Sequence, residues 1–294
     1  MDTETPPPIV LKNPPSSGAI LRGAVASLRK RGGSAAALAD PVPLLRPGVT
    51  LEAARIYAYA KLCGFTSPQG VPLTYPHLLA FPLHMAIMLR ASFPFPVIGL
   101  VHLENSITQH RRLDSGDRLD VLVRLGAWIA HEKGQAFTLA TAITRGDSLV
   151  WESTSTYLRL GVRDPLGAPY AGIAGEGARC ATLRRWAMKS DIGRRYAALS
   201  GDANPIHTSG LGARLFGFPR PIAHGMWMKA RALAALLPPA PVARAEARVS
   251  FKTPALLPGG LTLLIAPASD PTLFELRDGR DQKPHLRGVV SAAC

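Results

Sequence analysis

The sequence predicts an α+β protein of two tandem modules, each a long antiparallel sheet wrapped around an apolar helix. Three observations lead there. Blocks with helical spacing of apolar residues give way to runs that alternate with period two, and this order occurs twice along the chain. Each half carries one helical stretch too apolar on all sides to lie on a wet surface, so it must be enclosed. Matched residues (Tyr57 and Tyr196, Met85 and Met226, Gly116 and Gly259) recur at a near-constant offset of about 140 positions, as expected of a duplicated unit. With 294 residues, 47% hydrophobic and 18% charged, the chain can bury two such cores, which argues against a disordered or fibrous protein.

Residues 1–48 differ from the rest. Pro6 to Pro8, Pro14-Pro15, Gly32-Gly33, Pro41 and Pro43 surround a basic stretch from Arg22 to Arg31, which reads as a leader packed on the surface with one short helix. The N-terminal module, 49–165, opens with a helix over 51–62 for which Thr50 is the expected N-cap, followed by an apolar helix over 79–89. Strands are expected over 96–103, 119–125, 135–144 and 148–160, the last two joined by Arg145-Gly146-Asp147 turn chemistry. The C-terminal module, 180–294, repeats the order. A helical block surrounds Tyr196, and an apolar helix over 226–237 is stopped by Pro238-Pro239. Ala247, Val249 and Phe251 then alternate with Arg248, Ser250 and Lys252, and further strands fit 261–266, 272–277 and 285–292.

Composition excludes several classes. Arg, Lys or Pro interrupts every apolar run before the roughly 18 to 20 residues of a membrane span. The first residues lack the basic start and apolar block of a secretory signal, so a cytoplasmic protein is expected. Cys63, Cys180 and Cys294 are widely spaced without a Cys-x-x-Cys pair, which reads as buried or incidental thiols and predicts neither disulfides nor a metal site. Lys plus Arg number 34 against 20 Asp plus Glu, a net charge of +14 that favours anionic partners. The Arg pairs at 111/112, 184/185 and 194/195 are scattered, and no basic groove interleaved with aromatics is visible, so nucleic acid is not an expected partner.

One segment concentrates the chemistry: Tyr196, Ala197, Ala198, Leu199, Ser200, Gly201, Asp202, Ala203, Asn204, Pro205, Ile206, His207. Ser, Gly, Asp, Asn and Pro in succession cannot continue a helix, so the chain turns sharply there. A carboxylate and an imidazole five positions apart on this stiff turn can both address one water, and imidazole titrates in the right range for proton exchange. Downstream, Gly217-Phe218-Pro219-Arg220-Pro221-Ile222-Ala223-His224-Gly225-Met226 runs into the second apolar helix. Gly225 would lie in its first turn, where N–H groups lack helical partners and the helix end carries partial positive charge, so its N–H suits a developing oxyanion.

These segments resemble the MaoC-like family of (R)-specific enoyl-CoA hydratases and 3-hydroxyacyl-thioester dehydratases. The resemblance rests on Asp202, Asn204, Pro205 and His207, then on Gly217, Phe218, Pro221, Ile222, His224, Gly225 and Met226. In the first half it is carried by Thr74 to His77, Phe81 to Met85 and Trp151 to Ser155. There the position of the catalytic turn holds Cys63-Gly64-Phe65-Thr66-Ser67-Pro68, with neither acid nor histidine. The resemblance implies a double hotdog fold with a degenerate N-terminal module that shapes the acyl pocket, and one active site per chain.

It also implies the site roles: Asp202 and His207 catalytic, Gly225 the oxyanion hole, Asn204 and Ser200 supporting the loop, and His224 and Met226 binding substrate. The charge excess adds Lys252 and Arg248, on the outward phase of the strand after the helix, as substrate-binding cations for anionic phosphates, with Arg220 third. The implied reaction is reversible hydration of 2-enoyl thioesters to (R)-3-hydroxyacyl thioesters, with no metal or other cofactor and coenzyme A present only as part of the substrate. The expected partner is an acyl-CoA or acyl-carrier-protein thioester, whose anionic surface matches the charge excess. Because exposed hotdog surfaces often pair, a homodimer is the expected assembly. A hotdog thioesterase and a non-catalytic acyl-thioester-binding protein stay open as alternatives, since a fold does not dictate a reaction. His77 and His84 read as packing or polar core residues.

Overall fold

The computed structural model describes residues 6–30, 42–172, 180–266, 271–280 and 282–293. Arg31, Gly32, Gly33, Pro41 and Cys294 lie outside the described residues. In chain order the elements are β1 (Ile9–Val10), α1 (Ser17–Ser27), β2 (Leu44–Thr50), α2 (Ala53–Cys63), α3 (His77–Leu89), β3 (Leu100–Gln109), β4 (Arg118–His131), β5 (Gly134–Arg145), β6 (Ser148–Leu160) and β7 (Ala168–Pro169). They continue as β8 (Ala181–Met188), α4 (Ile192–Ser200), α5 (Pro205–Thr208), α6 (Gly210–Leu215), α7 (Gly225–Leu236), β9 (Arg244–Phe251), β10 (Gly259–Ile265), β11 (Thr272–Asp278) and β12 (Pro284–Ala293).

All strands join one sheet, ordered β1-β2-β4-β5-β6-β3-β9-β12-β11-β10-β8, with β7 added beside β4. Within it the duplication is explicit. The first half contributes β2-β4-β5-β6-β3 and the second β8-β10-β11-β12-β9, so each module arranges its five main strands in the order first, third, fourth, fifth, second. In both, the helices are inserted between the first and second strands: α2 and α3 in one, α4 to α7 in the other. Apart from the short parallel additions of β1 and β7, every pairing is antiparallel. The enclosed helices are α3, with Leu78, Leu79, Ala80, Leu83, Ile87 and Met88 buried, and α7, with Met226, Trp227, Met228, Ala230 and Leu233 buried. Burying side chains of this size contributes about 1.5–3 kcal/mol each, enough to fix where each helix sits.

Several expectations shift. Thr50 ends β2, and the residue flanking α2 is Glu52, whose side chain makes no capping bond. The helix in the leader is α1, capped by the Ser16 hydroxyl and docked with its Gly23 face close against Leu89 of α3. β2 begins at Leu44, so the sheet takes in the end of the stretch read as leader. The strand expected over 96–103 is β3, which starts later and runs to Gln109. Gly99, at φ +88°, turns the chain before it, and the inward phase of its second half includes Asn105 and Gln109, which hide it from a search for apolar alternation. β8 escaped the same search because it is an edge strand, mostly exposed and bearing Arg184 and Arg185.

The modules meet where β3 pairs with β9, from Glu104 opposite Ser250 to Gln109 opposite Ala245. Lys229 of α7 is fully buried over this joint. Its Nζ donates to the Asn105 carbonyl at 3.0 Å, to Asn105 Oδ1 at 2.6 Å and to the Ala247 carbonyl at 3.0 Å. The Asn105 amide in turn donates to Ser155 Oγ on β6. Burial pulls the Lys229 pKa well below the ordinary lysine value. Three acceptors use all three hydrogens of an ammonium, whereas a neutral amine has only two, so the cage opposes that shift and holds the charged form. Other cross-module bonds include the Trp227 indole to the Leu62 carbonyl, the Gln109 amide to the Val242 carbonyl, the Gln69 amide to the Leu237 carbonyl and the Arg231 guanidinium to the Cys63 carbonyl.

Lys229→Met should strand three buried acceptors and cost at least about 3 kcal/mol. Denaturant titration reads this as a lower midpoint, and an unchanged midpoint would remove Lys229 from the joint's energetics.

Candidate active site

The site is built where α4 ends. Gly201, at φ +80°, takes the left-handed conformation that closes the helix, its N–H bonded to the Ala197 carbonyl. Residues 201–204 then turn the chain into α5. The Asn204 side chain caps α5 by accepting from the Ile206 N–H at 3.2 Å, and Pro205 at the first helical position needs no N–H partner. Asp202 is held at both ends of this turn. Its N–H donates to Ser200 Oγ at 3.2 Å, and its Oδ1 accepts from the Asn204 N–H at 3.3 Å. α5 lies tight on α4: a Cβ at Gly193 would overlap the His207 carbonyl oxygen, so only glycine allows this approach.

His207 is aimed by a second segment. Ile222 donates its N–H to the Ile206 carbonyl at 3.0 Å, while Ala223 N–H bonds the Ala255 carbonyl and Leu257 N–H the Pro221 carbonyl. The chain at 221–223 is thereby clamped between α5 and the loop after β9, and its Ile222 carbonyl stands 2.8 Å from His207 Nδ1. A carbonyl only accepts, so Nδ1 carries the hydrogen and Nε2 is left as the basic nitrogen. Burial lowers the His207 pKa below its ordinary 6.5, opposed by the Asp202 charge and the Ile222 bond. The ring is therefore neutral near pH 7.

His224, the N-cap of α7, locks the two parts together. Its Nε2 donates to the Asp202 carbonyl at 3.0 Å and lies 3.8 Å from Asp202 Oδ2. Its ring stacks on His207 with centroids 3.7 Å apart and packs against Tyr196 at 4.9 Å. Burial, reinforced by His207, pulls its pKa down to about 3. His224 is thus a neutral brace for the turn. Ligand atoms of Asp202, His207 and His224 lie within 4.8 Å of one another. That spacing is close enough for the trio to gather a metal ion.

Gly225 follows directly as the first residue of α7, where its N–H has no carbonyl one turn back. A Cβ there would press into the Phe251 ring, so glycine keeps the backbone open at this point. Met226 is buried in the core beneath. Arg248 is on the outward phase of β9, between buried Ala247 and Val249, and pairs with Glu246 at 3.1 Å, whereas buried Ser250 breaks that phase and Lys252 is exposed just past the end of the strand. The structure therefore brings together Asp202, His207, His224, Gly225, Asn204 and Ser200, and leaves Arg248 on the exposed face of β9 and Lys252 exposed just beyond it. At the matching turn of the first module Cys63 is buried, and its thiol pKa is pushed up to about 12 by burial. It supplies no acid or base.

A MaoC like domain matches residues 178–261. Over 243 residues, 82% of this chain and 85% of the relative, the sequence is 35% identical to 3-hydroxyacyl-thioester dehydratase X of Mycobacterium tuberculosis. The chain belongs to the MaoC-like dehydratase family. Its fold is similar to the crystal structure of HtdX from Mycobacterium tuberculosis, with a TM-score of 0.72 at 32% identity over 85% of this chain and 100% of that one. A MaoC-like dehydratase from Phytophthora capsici shares the fold at 19% identity, with a TM-score of 0.73 over 87% and 96% of the two chains.

His77 and His84 of α3 are buried, in line with their reading as packing or polar core residues in this MaoC-like chain, whereas sequence reading missed His102 of β3 and Tyr157 of β6, which join them behind the site. Lys229 was missed as well, although a lone Lys between Met228 and Ala230 in an apolar helix was a usable signal.

The buried histidines make stability depend on pH. Burial lowers His77 to about 4 and His102 and His224 to about 3, and carries His84 in the same direction. Folded values below the unfolded 6.5 mean that stability is complete above about pH 6.5 and is lost as pH falls toward 4, by up to about 1.4 kcal/mol per unit for each group. Thermal scans should show a melting temperature flat from about pH 8 to 7 and falling steeply below 6. A flat profile down to pH 4 would contradict neutral burial.

Proposed function

We propose that the protein catalyses reversible hydration of 2-enoyl thioesters to (R)-3-hydroxyacyl thioesters, with Asp202 and His207 exchanging protons with one water and Gly225 binding the thioester oxygen. The observation that carries this reading is the shared turn. Asp202 Oδ2 is free of the bonds that fix its backbone, and His207 Nε2 is left basic by the Ile222 carbonyl. Both are gathered with His224, the residue directly before the first N–H of α7. The relationship to 3-hydroxyacyl-thioester dehydratase X supports the same chemistry.

In the hydration direction, the His207–Asp202 pair takes a proton from water as its oxygen bonds to C3. The C2–C3 π electrons move onto the carbonyl oxygen as an enolate, held by the Gly225 N–H and the α7 N-terminus. The enolate then collapses as C2 takes a proton from the same pair. Water has added H to C2 and OH to C3, both side chains regain their starting protonation, and no electrons are transferred to any other group. Because the two side chains form a coupled pair, the proton belongs to the pair rather than to one member. The thioester is carried by coenzyme A or by an acyl carrier protein, either of which suits the +14 charge.

Crotonyl-CoA or a longer 2-enoyl-CoA should lose its enoyl-thioester absorbance without release of free thiol. Thiol release would instead indicate a thioesterase. Asp202→Asn and His207→Ala should each reduce kcat/KM on the order of 100- to 10,000-fold with the fold retained by circular dichroism. Activity of either variant near the wild-type level would exclude that residue. Because the His207 pKa is lowered, the acid limb of kcat/KM should fall below about pH 6.5. A limb above pH 7 would contradict a neutral His207 base.

A further inference from the structure

Behind the Asp202–His207 turn, polar side chains run into the N-terminal module where an apolar acyl pocket would call for aliphatic ones. Phe251, which closes on Gly225, packs its ring 4.9 Å from His102. His102 stacks on Tyr157 at 4.6 Å and faces His77 at 6.4 Å, and His77 meets His84 edge-on at 5.5 Å. His77 and Tyr157 are near enough to the turn for the Asp202 charge to act on both. These side chains thus extend inward from the site itself.

Buried polar atoms are almost always satisfied. Here His77 Nδ1, His84 Nδ1 and His102 Nε2 are buried and have no hydrogen-bond partner among the described residues. His77 is 4% exposed and His84 is fully buried. The neighbouring core of the same module is filled by Phe93, Phe95 and Phe137, so an apolar ring fits this environment. The Lys229 ammonium also acts on His77 and His102, which disfavours a cationic ligand there and favours an oxygen.

We infer that His77 and His102 form an acyl-chain subsite that recognises an oxygen function, a hydroxyl or a keto group, carried beyond the 2-enoyl unit. This rests on the hydratase reading above and narrows its substrate class. His102 donates to the Glu104 backbone through its other nitrogen, so its Nε2 accepts and takes a hydroxyl, while a keto oxygen can accept only from an N–H form of His77. A plain alkyl chain would leave the ring nitrogens unpaired, and a site built to bond an oxygen rejects the analogue that lacks it.

The test compares 2-enoyl-CoA substrates of equal chain length, one plain and a series with a hydroxyl moved along the chain. At one position or two adjacent ones, wild-type kcat/KM for the hydroxylated chain should exceed that for the plain chain by on the order of tenfold. His102→Phe, whose ring can keep the stacking with Tyr157 and Phe251, should bring the ratio close to one. His102→Gln should keep the preference. A wild-type enzyme that favours the plain chain at every position, or a His102→Phe variant that keeps the wild-type ratio, would overturn the subsite alone. Failure to hydrate any thioester would remove the hydratase reading and this inference with it.

Discussion

The Lys229 ammonium sits where α7, β3 and β9 meet, and the geometry of the site depends on that joint. Its three acceptors come from both modules, Asn105 from the first and Ala247 from the second. The cage sets the rotation of α7 and its distance from the sheet. Gly225 is one turn earlier on the same helix, so this anchor fixes the N–H proposed to bind the thioester oxygen. A buried charge costs several kcal/mol of desolvation and is weak evidence for stability by itself. Its contribution here is specific: only one register of β3 against β9 lets Asn105 and Ala247 present their oxygens together.

From this joint the catalytic turn is assembled by backbone contacts rather than by side-chain packing. Gly193 lets α5 approach α4, the Ile222 carbonyl selects the His207 tautomer, and His224 ties its ring to both the Asp202 backbone and His207. Each of these determines where a proton can go. The arrangement leaves one basic nitrogen and one carboxylate oxygen uncommitted, while the equivalent turn of the first module presents only a buried thiol. On the proposed reading the second module carries the chemistry, and the first contributes the inward row of histidines behind it.

The sequence displayed the parts whose meaning is local. The Asp202-to-His207 turn was legible because its chain-reversing residues and its chemistry occupy one short segment, and α3 and α7 were legible because they are apolar on all faces. The double hotdog was visible in the repeated order of elements, and the shared strand order makes the duplication plain. What escaped depends on contacts between distant residues. β3 looked too polar for a central strand because Asn105 and Gln109 find their partners more than a hundred residues away, in Lys229 and the Val242 carbonyl. β8 carries the charges of an edge. His77, His102 and Tyr157 come from one helix and two strands, and no spacing in the sequence brings them together.

The central claim is that Asp202 and His207 act on one water from one side of the thioester. The most direct measurement is the stereochemistry of hydration of a 2-enoyl-CoA in deuterium oxide, read by NMR of the product. With both groups on one turn, their ligand atoms within 4.8 Å, the expected product carries one deuterium at C2 and the hydroxyl at C3 added to the same face of the double bond. Addition to opposite faces, or release of free thiol in place of hydration, would contradict the account.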